Sequence, residues 1–518
     1  MNSNTTATDI PDMERALVLQ GGGSLGAYEA GAYKALYEWL SERDEKVWKG
    51  KKSTFDIVAG TSIGAMNAAV LVSYVVEKGT YEGSADRLVD FWNYLSKEST
   101  IETNPFFKSW WDFWHGVNKS VATGEAARRY YSAKEFAITG VPNVFSPLSP
   151  MPDSRFFDSY NNTWYRFSNE PLKRSLERFA KFPIATNHEK NQPRLILVAV
   201  DVAAGRPVVF DSYPKQDGSR KTEYGRYITQ NNKEIGFEYI IRYDNGITAD
   251  HVMASGSYPI NFDYASLEVE SYDSDVDDDS EYQLGVRKKS SYTSSKGSTN
   301  SNSDLNNPLN YYKRETRKFW DGGLMSNTPL SQLVILHRQY WYLVRGLKDK
   351  VPTLRICIFN VHPTKQKQIP TDHDGVVNRN ADITFSDRTY KDQEILLLIS
   401  DYVDLVRDLI GVAKENKVKD QVINDLLDKK TRYHGQEWKP RRYRDIFEGR
   451  FDVDTIVRIE RKNDENTISE KTFDFSDGTI RQLLKDGYEE TINYLPYLEL
   501  DSAPQATKHV SYEKKENL

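Results

Sequence analysis

Short apolar runs alternate with longer segments of helical spacing in the first part of the chain. Residues 16–19 and 55–59 are apolar runs of strand length. Each leads through a glycine-bearing turn into a segment that predicts a helix, at 27–40 and 65–76. Strands that alternate with helices are typical of a mostly parallel sheet that is covered on both faces. We therefore predict an α/β fold.

Strand and helix patterns recur further along the chain. Residues 194–200 and 208–210 predict two paired strands joined by a turn, and another apolar run around Cys357 predicts a buried strand. Later elements are a helix at 395–412, a strand at 455–459 and a helix at 480–495.

Composition divides the chain into regions. We predict a disordered N-terminus at 1–13, an α/β domain at 14–360 and a smaller C-terminal α+β region at 365–518. Within the α/β domain, residues 271–306 begin with a cluster of acids and continue with Ser, Asn and Lys. Few of these side chains can be buried, so this segment predicts an exposed, disordered insertion.

Charge and cysteine content narrow the class of protein. The formal net charge of −6 argues against a nucleic-acid binder. The single cysteine, Cys357, excludes a disulfide within the chain and gives no zinc-ligand spacing. Residues 1–13 lack the apolar core of a signal peptide, and no stretch approaches the roughly 18 apolar residues of a membrane span. We expect a cytoplasmic protein that can still contact membranes peripherally.

Two glycine-bearing strings carry the first sign of chemistry. They are Gly21-Gly22-Gly23-Ser24-Leu25-Gly26 and Gly60-Thr61-Ser62-Ile63-Gly64, and each lies where a predicted strand turns into a helix. A G-x-S-x-G turn in this position holds a serine in a strained conformation with its hydroxyl exposed. Successive glycines can direct backbone N–H groups at one point, as a developing oxyanion requires. Together the two strings indicate a serine acyl hydrolase.

The first string also has another interpretation. Gly21, Gly23 and Gly26 have the spacing of a dinucleotide-binding fingerprint. That fingerprint requires an acidic residue at the end of the second strand, where this chain has Gly60-Thr61-Ser62 instead. A module that binds a nucleotide or a lipid without catalysis stays open as the alternative function.

A serine nucleophile needs a base, and the sequence offers two candidates. Among the eight histidines only His362 follows a predicted strand, which leaves a histidine-assisted α/β-hydrolase open. Asp321 precedes Gly322 and Gly323 directly after an apolar strand end. This position predicts a carboxylate at the carboxyl edge of the sheet, where it could accept the proton of Ser62 without a histidine. We favour Asp321.

These motifs, together with Ala254-Ser255-Gly256-Ser257-Tyr258-Pro259, resemble the patatin-like phospholipase family over roughly residues 14–360. The family order is a glycine-rich loop, G-x-S-x-G, A-S-x-x-x-P and D-G-G, and all four occur here in that order. Residues 365–518 are similar to an extra region on one branch of bacterial members.

The resemblance implies a three-layer α/β/α fold and a lipid substrate, without a metal or organic cofactor. It implies a dyad of Ser62 as nucleophile and Asp321 as base. It also implies an oxyanion hole from Gly21, Gly22 and Gly23, with supporting turn glycines at Gly26, Gly60, Gly64, Gly322 and Gly323. One departure is Leu25, where many members carry a basic residue. The aromatic segment at 106–114 is either core packing or a surface that contacts membranes.

Overall fold

A ten-stranded sheet organises the part of the chain that the computed structural model describes, residues 10–47, 54–100, 124–148, 165–230, 233–273, 311–431, 441–462 and 467–495. The strands in these ranges are β1 Met13–Leu19, β2 Ile57–Thr61, β3 Ser146–Pro147, β4 Phe167–Ser168, β5 Arg194–Asp201, β6 Arg206–Asp211, β7 Lys221–Gln230, β8 Lys233–Arg242, β9 Ala265–Tyr272, β10 Tyr312–Asp321, β11 Thr353–Asn360 and β12 Val453–Glu460. The α-helices are α1 Gly26–Val47, α2 Ile63–Lys78, α3 Ser84–Leu95, α4 Gly124–Thr139, α5 Glu170–Phe179, α6 Ala249–Gly256, α7 Leu330–Gln339, α8 His373–Phe385, α9 Tyr390–Glu415, α10 Asp420–Leu427, α11 Tyr443–Phe447 and α12 Asp477–Tyr494. Strands β3 and β4 form a separate two-stranded sheet.

The large sheet has a parallel half and an antiparallel half that meet at β5. Its order is β12-β11-β1-β2-β5-β10-β9-β8-β7, and β6 also pairs with β5. The strands from β12 to β5 run parallel. Strands β6 and β10 pair with β5 in the antiparallel direction, and β9, β8 and β7 continue that half. The parallel half carries both glycine strings.

Side chains of the parallel strands alternate between two helical layers. Leu17 and Val58 belong to the large core cluster with α1, α2 and α3. Val18 and Ala59 point to the opposite face, where they join Leu330 and its neighbours on α7. Successive strand residues face opposite sides of a sheet, so strands that are buried on both faces must be apolar throughout. The α/β/α fold that the sequence predicted is confirmed.

The C-terminal part of the chain packs directly on the first part. Strand β12 extends the parallel half beside β11, and α12 crosses α1 in very close contact. Gly31 of α1 and Gly487 of α12 lie at this crossing, where a Cβ on either one would overlap a backbone carbonyl of the facing helix. The division of the chain near residue 365 stays a prediction, and these contacts attach both sides of it to one core.

Several predicted segments lie wholly or partly outside the described residues. These are 1–9, the aromatic segment at 106–114, and 274–306 of the predicted insertion. The first residues of that insertion, 271–272, belong to β9. No helix in the described ranges has both the length and the apolar character to cross a membrane.

The helix crossing generates a stability prediction. We expect Gly31→Ala to lower the free energy of unfolding by about 3 kcal/mol, because the added methyl group overlaps the backbone carbonyl of Leu484. Gly411→Ala on α9 is the control, since open space surrounds that position. It should raise the free energy of unfolding by up to about 1 kcal/mol. Urea unfolding followed by circular dichroism measures both, and equal effects would contradict the packing argument.

Candidate active site

Ser62 occupies a strained turn between β2 and α2. Its backbone has φ 57° and ψ −126°, a conformation that a residue with a side chain rarely adopts. Glycines on both sides make the sharp turn possible, since a Cβ at Gly60 would overlap the backbone of Gly64 and a Cβ at Gly64 would overlap the carbonyl of Leu19. The turn therefore has the geometry that the G-x-S-x-G spacing predicted.

Asp321 lies in hydrogen-bond contact with Ser62. The Ser62 hydroxyl donates to Asp321 Oδ2 at 2.5 Å, across 259 residues of sequence. The other carboxylate oxygen, Oδ1, accepts the backbone N–H of Gly323 at 2.7 Å. Gly322 lets this turn press against β5, because a Cβ there would overlap the carbonyl of Val198. The chain thus brings the two predicted residues together.

Strand β10, which ends at Asp321, has a direction that the sequence analysis did not predict. It runs antiparallel to β5 and pairs with it over only three residues, with Asp321 opposite Ala199. The carboxylate still lies beside the carboxyl ends of β2 and β5, because β10 ends there. The sequence predicted the position of Asp321 but gave no direction for its strand.

Burial sets the proton affinity of Asp321. Its side chain is only 2% exposed, and this burial raises the pKa to about 7, while the hydrogen bonds from Ser62 and Gly323 act in the opposite direction. A carboxyl group with a pKa near neutrality can exchange a proton with a serine during a reaction cycle. A serine and a carboxyl group in this arrangement are chemically able to exchange a proton.

The glycine-rich loop passes directly beside Ser62. A Cβ at Gly21 would lie 2.8 Å from Cβ of Ser62, and Gly26 abuts Ile63 in the same way. The N–H of Gly21 points to the carbonyl of Asn327 at 3.4 Å. Within the described residues, by contrast, no backbone acceptor is found for the N–H groups of Gly22 and Gly23. Of the three predicted oxyanion donors, only these two therefore have no backbone acceptor in the described part of the chain.

Two polar residues to which the sequence analysis assigned no role hold these segments together. Ser255 accepts the backbone N–H of Ser62 at 2.9 Å and donates to the carbonyl of Val198 at 2.6 Å. Asn327 donates to the carbonyl of Gly21 at 3.1 Å. Ser255 belongs to the A-S-x-x-x-P motif, so its motif was a signal for it. Asn327 had no comparable signal.

Gln20 fixes the start of the glycine loop. Its side-chain oxygen accepts the N–H groups of Val361 and His362 at 2.8 and 2.9 Å, and its amide donates to Thr328 at 3.0 Å. A buried polar side chain directly after an apolar strand is the signal that could have identified it. The loop is thus anchored to β11 and to the segment that follows Asp321.

His362 is part of a separate buried cluster. Its Nδ1 lies 3.1 Å from Asp382, and Asp382 also accepts Lys471 Nζ at 2.5 Å. Burial lowers the pKa of His362, and the nearby Lys471 and Arg461 cations lower it further. The Ser62 hydroxyl donates to Asp321, so this geometry does not support the histidine-assisted alternative. Cys357, as expected, is buried, and burial raises the pKa of its thiol.

Residues 17–334 match the patatin-like phospholipase family, so the chain belongs to that family. Among solved structures it is similar to VipD from Legionella pneumophila, at 11% identity over 94% of this chain and 67% of that one. The TM-score of 0.27 is too low for this likeness to carry an argument. No curated protein matches the chain. Within the described residues, no group of three or more His, Cys, Asp or Glu side chains could hold a metal ion.

The raised pKa of Asp321 predicts how stability changes with pH. The folded state binds a proton more tightly than the unfolded state, so the stabilising contribution is complete below about pH 4 and is lost as the pH rises to about 7. Asp321→Asn should therefore become more stable relative to the original protein between pH 4 and pH 8, by on the order of 3 kcal/mol. Urea unfolding at both pH values measures this difference.

Asp201→Asn provides the contrast for that measurement. Burial raises the pKa of Asp201, but hydrogen bonds from Arg317 and Tyr224 outweigh it and lower the pKa overall. Asp201 therefore stabilises the fold above its unfolded pKa, and its Asn variant should lose relative stability as the pH rises. Parallel trends for the two variants would contradict the assignment of a raised pKa to Asp321.

Proposed function

We propose that this protein hydrolyses fatty acyl esters of phospholipids or related lipids through a dyad of Ser62 and Asp321. Membership of the patatin-like phospholipase family supports the coarser statement that the substrate is an acyl lipid. The observation that supports the specific mechanism is the 2.5 Å hydrogen bond from Ser62, in its strained turn, to the buried carboxylate of Asp321. The proposal includes a cytoplasmic enzyme that contacts membranes peripherally, because its substrate resides there.

The first half of the reaction acylates the serine. Asp321 Oδ2 takes the proton of Ser62 Oγ as that oxygen attacks the ester carbonyl carbon. The carbonyl electron pair moves onto oxygen, and N–H groups of the glycine loop, chiefly those of Gly22 and Gly23, stabilise the oxyanion. One such donor contributes roughly 3–4 kcal/mol in comparable sites. When the tetrahedral intermediate collapses, the ester C–O bond breaks and the leaving alcohol takes the proton from Asp321.

The second half releases the fatty acid. Asp321 accepts a proton from water, whose oxygen attacks the acyl-Ser62 carbonyl within the same loop. The acyl–Oγ bond then breaks, and the proton on Asp321 returns to Ser62. Each proton and electron pair is accounted for by the dyad and water, so the mechanism requires no metal and no organic cofactor.

Loss of either dyad member should remove activity. We expect Ser62→Ala and Asp321→Asn each to lower kcat on a short-chain acyl ester by about 1,000-fold or more, and the double variant to lose little beyond that, because the pair acts as a unit. Ser331→Ala is the matched control, since its hydroxyl hydrogen-bonds to Asp392. A fluorophosphonate probe should label the original protein and not Ser62→Ala. Full activity in both dyad variants would exclude the mechanism, and absence of labelling would favour a binding module.

The same dyad predicts a pH profile. Asp321 must be deprotonated to act as a base, so kcat/KM should rise by about tenfold per pH unit at acid pH and level off above about pH 7. Steady-state kinetics on a substrate that does not titrate in this range tests the expectation. A rise centred near pH 4, where an ordinary Asp titrates, would contradict a raised pKa in the catalytic base.

A further inference from the structure

Helix α8 has contacts that lead to Gly21, Gly22 and Gly23 of the glycine loop. The carbonyl of Phe385, the last residue of α8, accepts Asn327 Nδ2 at 2.7 Å, and the same nitrogen donates to the carbonyl of Gly21 at 3.1 Å. A side-chain amide nitrogen carries two hydrogens, so it can make both bonds. Asn327 therefore joins the end of α8 to the first glycine of the loop.

Asp382 lies on the same helix and is bonded to two other segments of the chain. Its Oδ1 accepts Lys471 Nζ at 2.5 Å and lies 3.1 Å from His362 Nδ1. All three side chains are more than nine-tenths buried. Burial raises the pKa of Asp382, but the hydrogen bond from His362 and the charge of Lys471 outweigh burial and lower the pKa to about 2. Asp382 is therefore a buried carboxylate that holds both segments on α8 through charge-assisted hydrogen bonds.

The segment that contains His362 packs against the second glycine of the loop. A Cβ at Gly22 would overlap the side chain of Val361 and would lie 3.4 Å from His362 Nε2. The N–H groups of Val361 and His362 also donate to the side chain of Gln20, which directly precedes the loop. The position of this segment therefore limits where Gly22 can lie.

The segment that contains Lys471 packs against the third glycine. Gly23 has a φ of 58°, and a Cβ there would overlap the carbonyl of Thr472. The next residue of the loop, Ser24, is fully buried and donates its hydroxyl to the carbonyl of Lys471 at 2.6 Å. The loop is therefore bonded to the backbone of a residue whose side chain is held by Asp382.

We propose that Asp382 is a positioning residue for the glycine loop. It holds His362 and Lys471, and these fix the segments that pack against the loop. The N–H groups of Gly22 and Gly23 are thereby kept directed at the oxyanion that develops on the substrate. Glycine has more backbone freedom than any other residue, and donors stabilise a developing charge most when they are already in place. The inference rests on the proposed function, because it concerns the same reaction.

Ser24→Ala tests the bond between the loop and the Lys471 segment and leaves the buried charges in place. We expect it to lower kcat on a short-chain neutral ester by about tenfold and to leave KM within about twofold, because the loop acts on the transition state. The rate of labelling by a fluorophosphonate should fall in parallel. Ser175→Ala is the matched control, since it removes a buried hydroxyl on α5 that donates to the carbonyl of Asn143 at 2.7 Å, and kcat should stay unchanged.

Asp382→Asn tests the residue that holds both segments. It should lower kcat by about 100-fold, again with little change in KM. Asp211→Asn is the control for the loss of a buried carboxylate, since Asp211 pairs with Arg194 at the start of β5. Urea unfolding should show that both variants are less stable than the original protein. Only Asp382→Asn should lower kcat per molecule of folded protein, and a merely structural role would not produce this difference.

Three results would overturn the positioning role: normal kcat in Ser24→Ala, normal kcat in folded Asp382→Asn, or an equal loss of kcat in Asp211→Asn. If Asp382→Asn does not fold, Ser24→Ala and its control decide. The failure of the proposed function gives a different result, because Ser62→Ala would then keep its activity. An inactive Ser62→Ala beside a fully active Ser24→Ala would refute only the positioning role.

Discussion

The contact between Ser62 and Asp321 depends on backbone segments that approach each other more closely than side chains would permit. Gly60, Gly64 and Gly322 each lie where a Cβ would overlap a main-chain atom of a neighbouring segment. Because these residues have no side chain, the turn after β2 and the turn after β10 can pack together beside the glycine loop. The 2.5 Å hydrogen bond is a consequence of that packing.

Local sequence patterns were enough to predict the strands that lead into the two glycine turns. Apolar runs that end in glycine turns predicted β1 and β2, because strands buried on both faces must be apolar throughout. Strand direction was not predictable in the same way, since a side-chain period of two is identical for parallel and antiparallel strands. Strand β10 pairs in the antiparallel direction with both of its neighbours, β5 and β9. Only the end point of that strand, Asp321, was encoded in its motif.

Contacts between distant segments were the part that sequence could not supply. Ser255 and Asn327 support the site from positions far along the chain from Ser62 and Gly21. The spacing of α9 predicted a helix correctly but not its environment, since Val403 is buried while Leu398 and Leu405 are each 53% exposed. Helical periodicity records which residues share a face, and only the tertiary structure shows whether another element covers it.

The loss of hydration around Asp321 has an energetic cost. A carboxylate that serves as a base near neutral pH must lose hydration, so burial that raises the pKa of Asp321 also destabilises its charged form. Hydrogen bonds from Ser62 and Gly323 limit this cost within the folded chain.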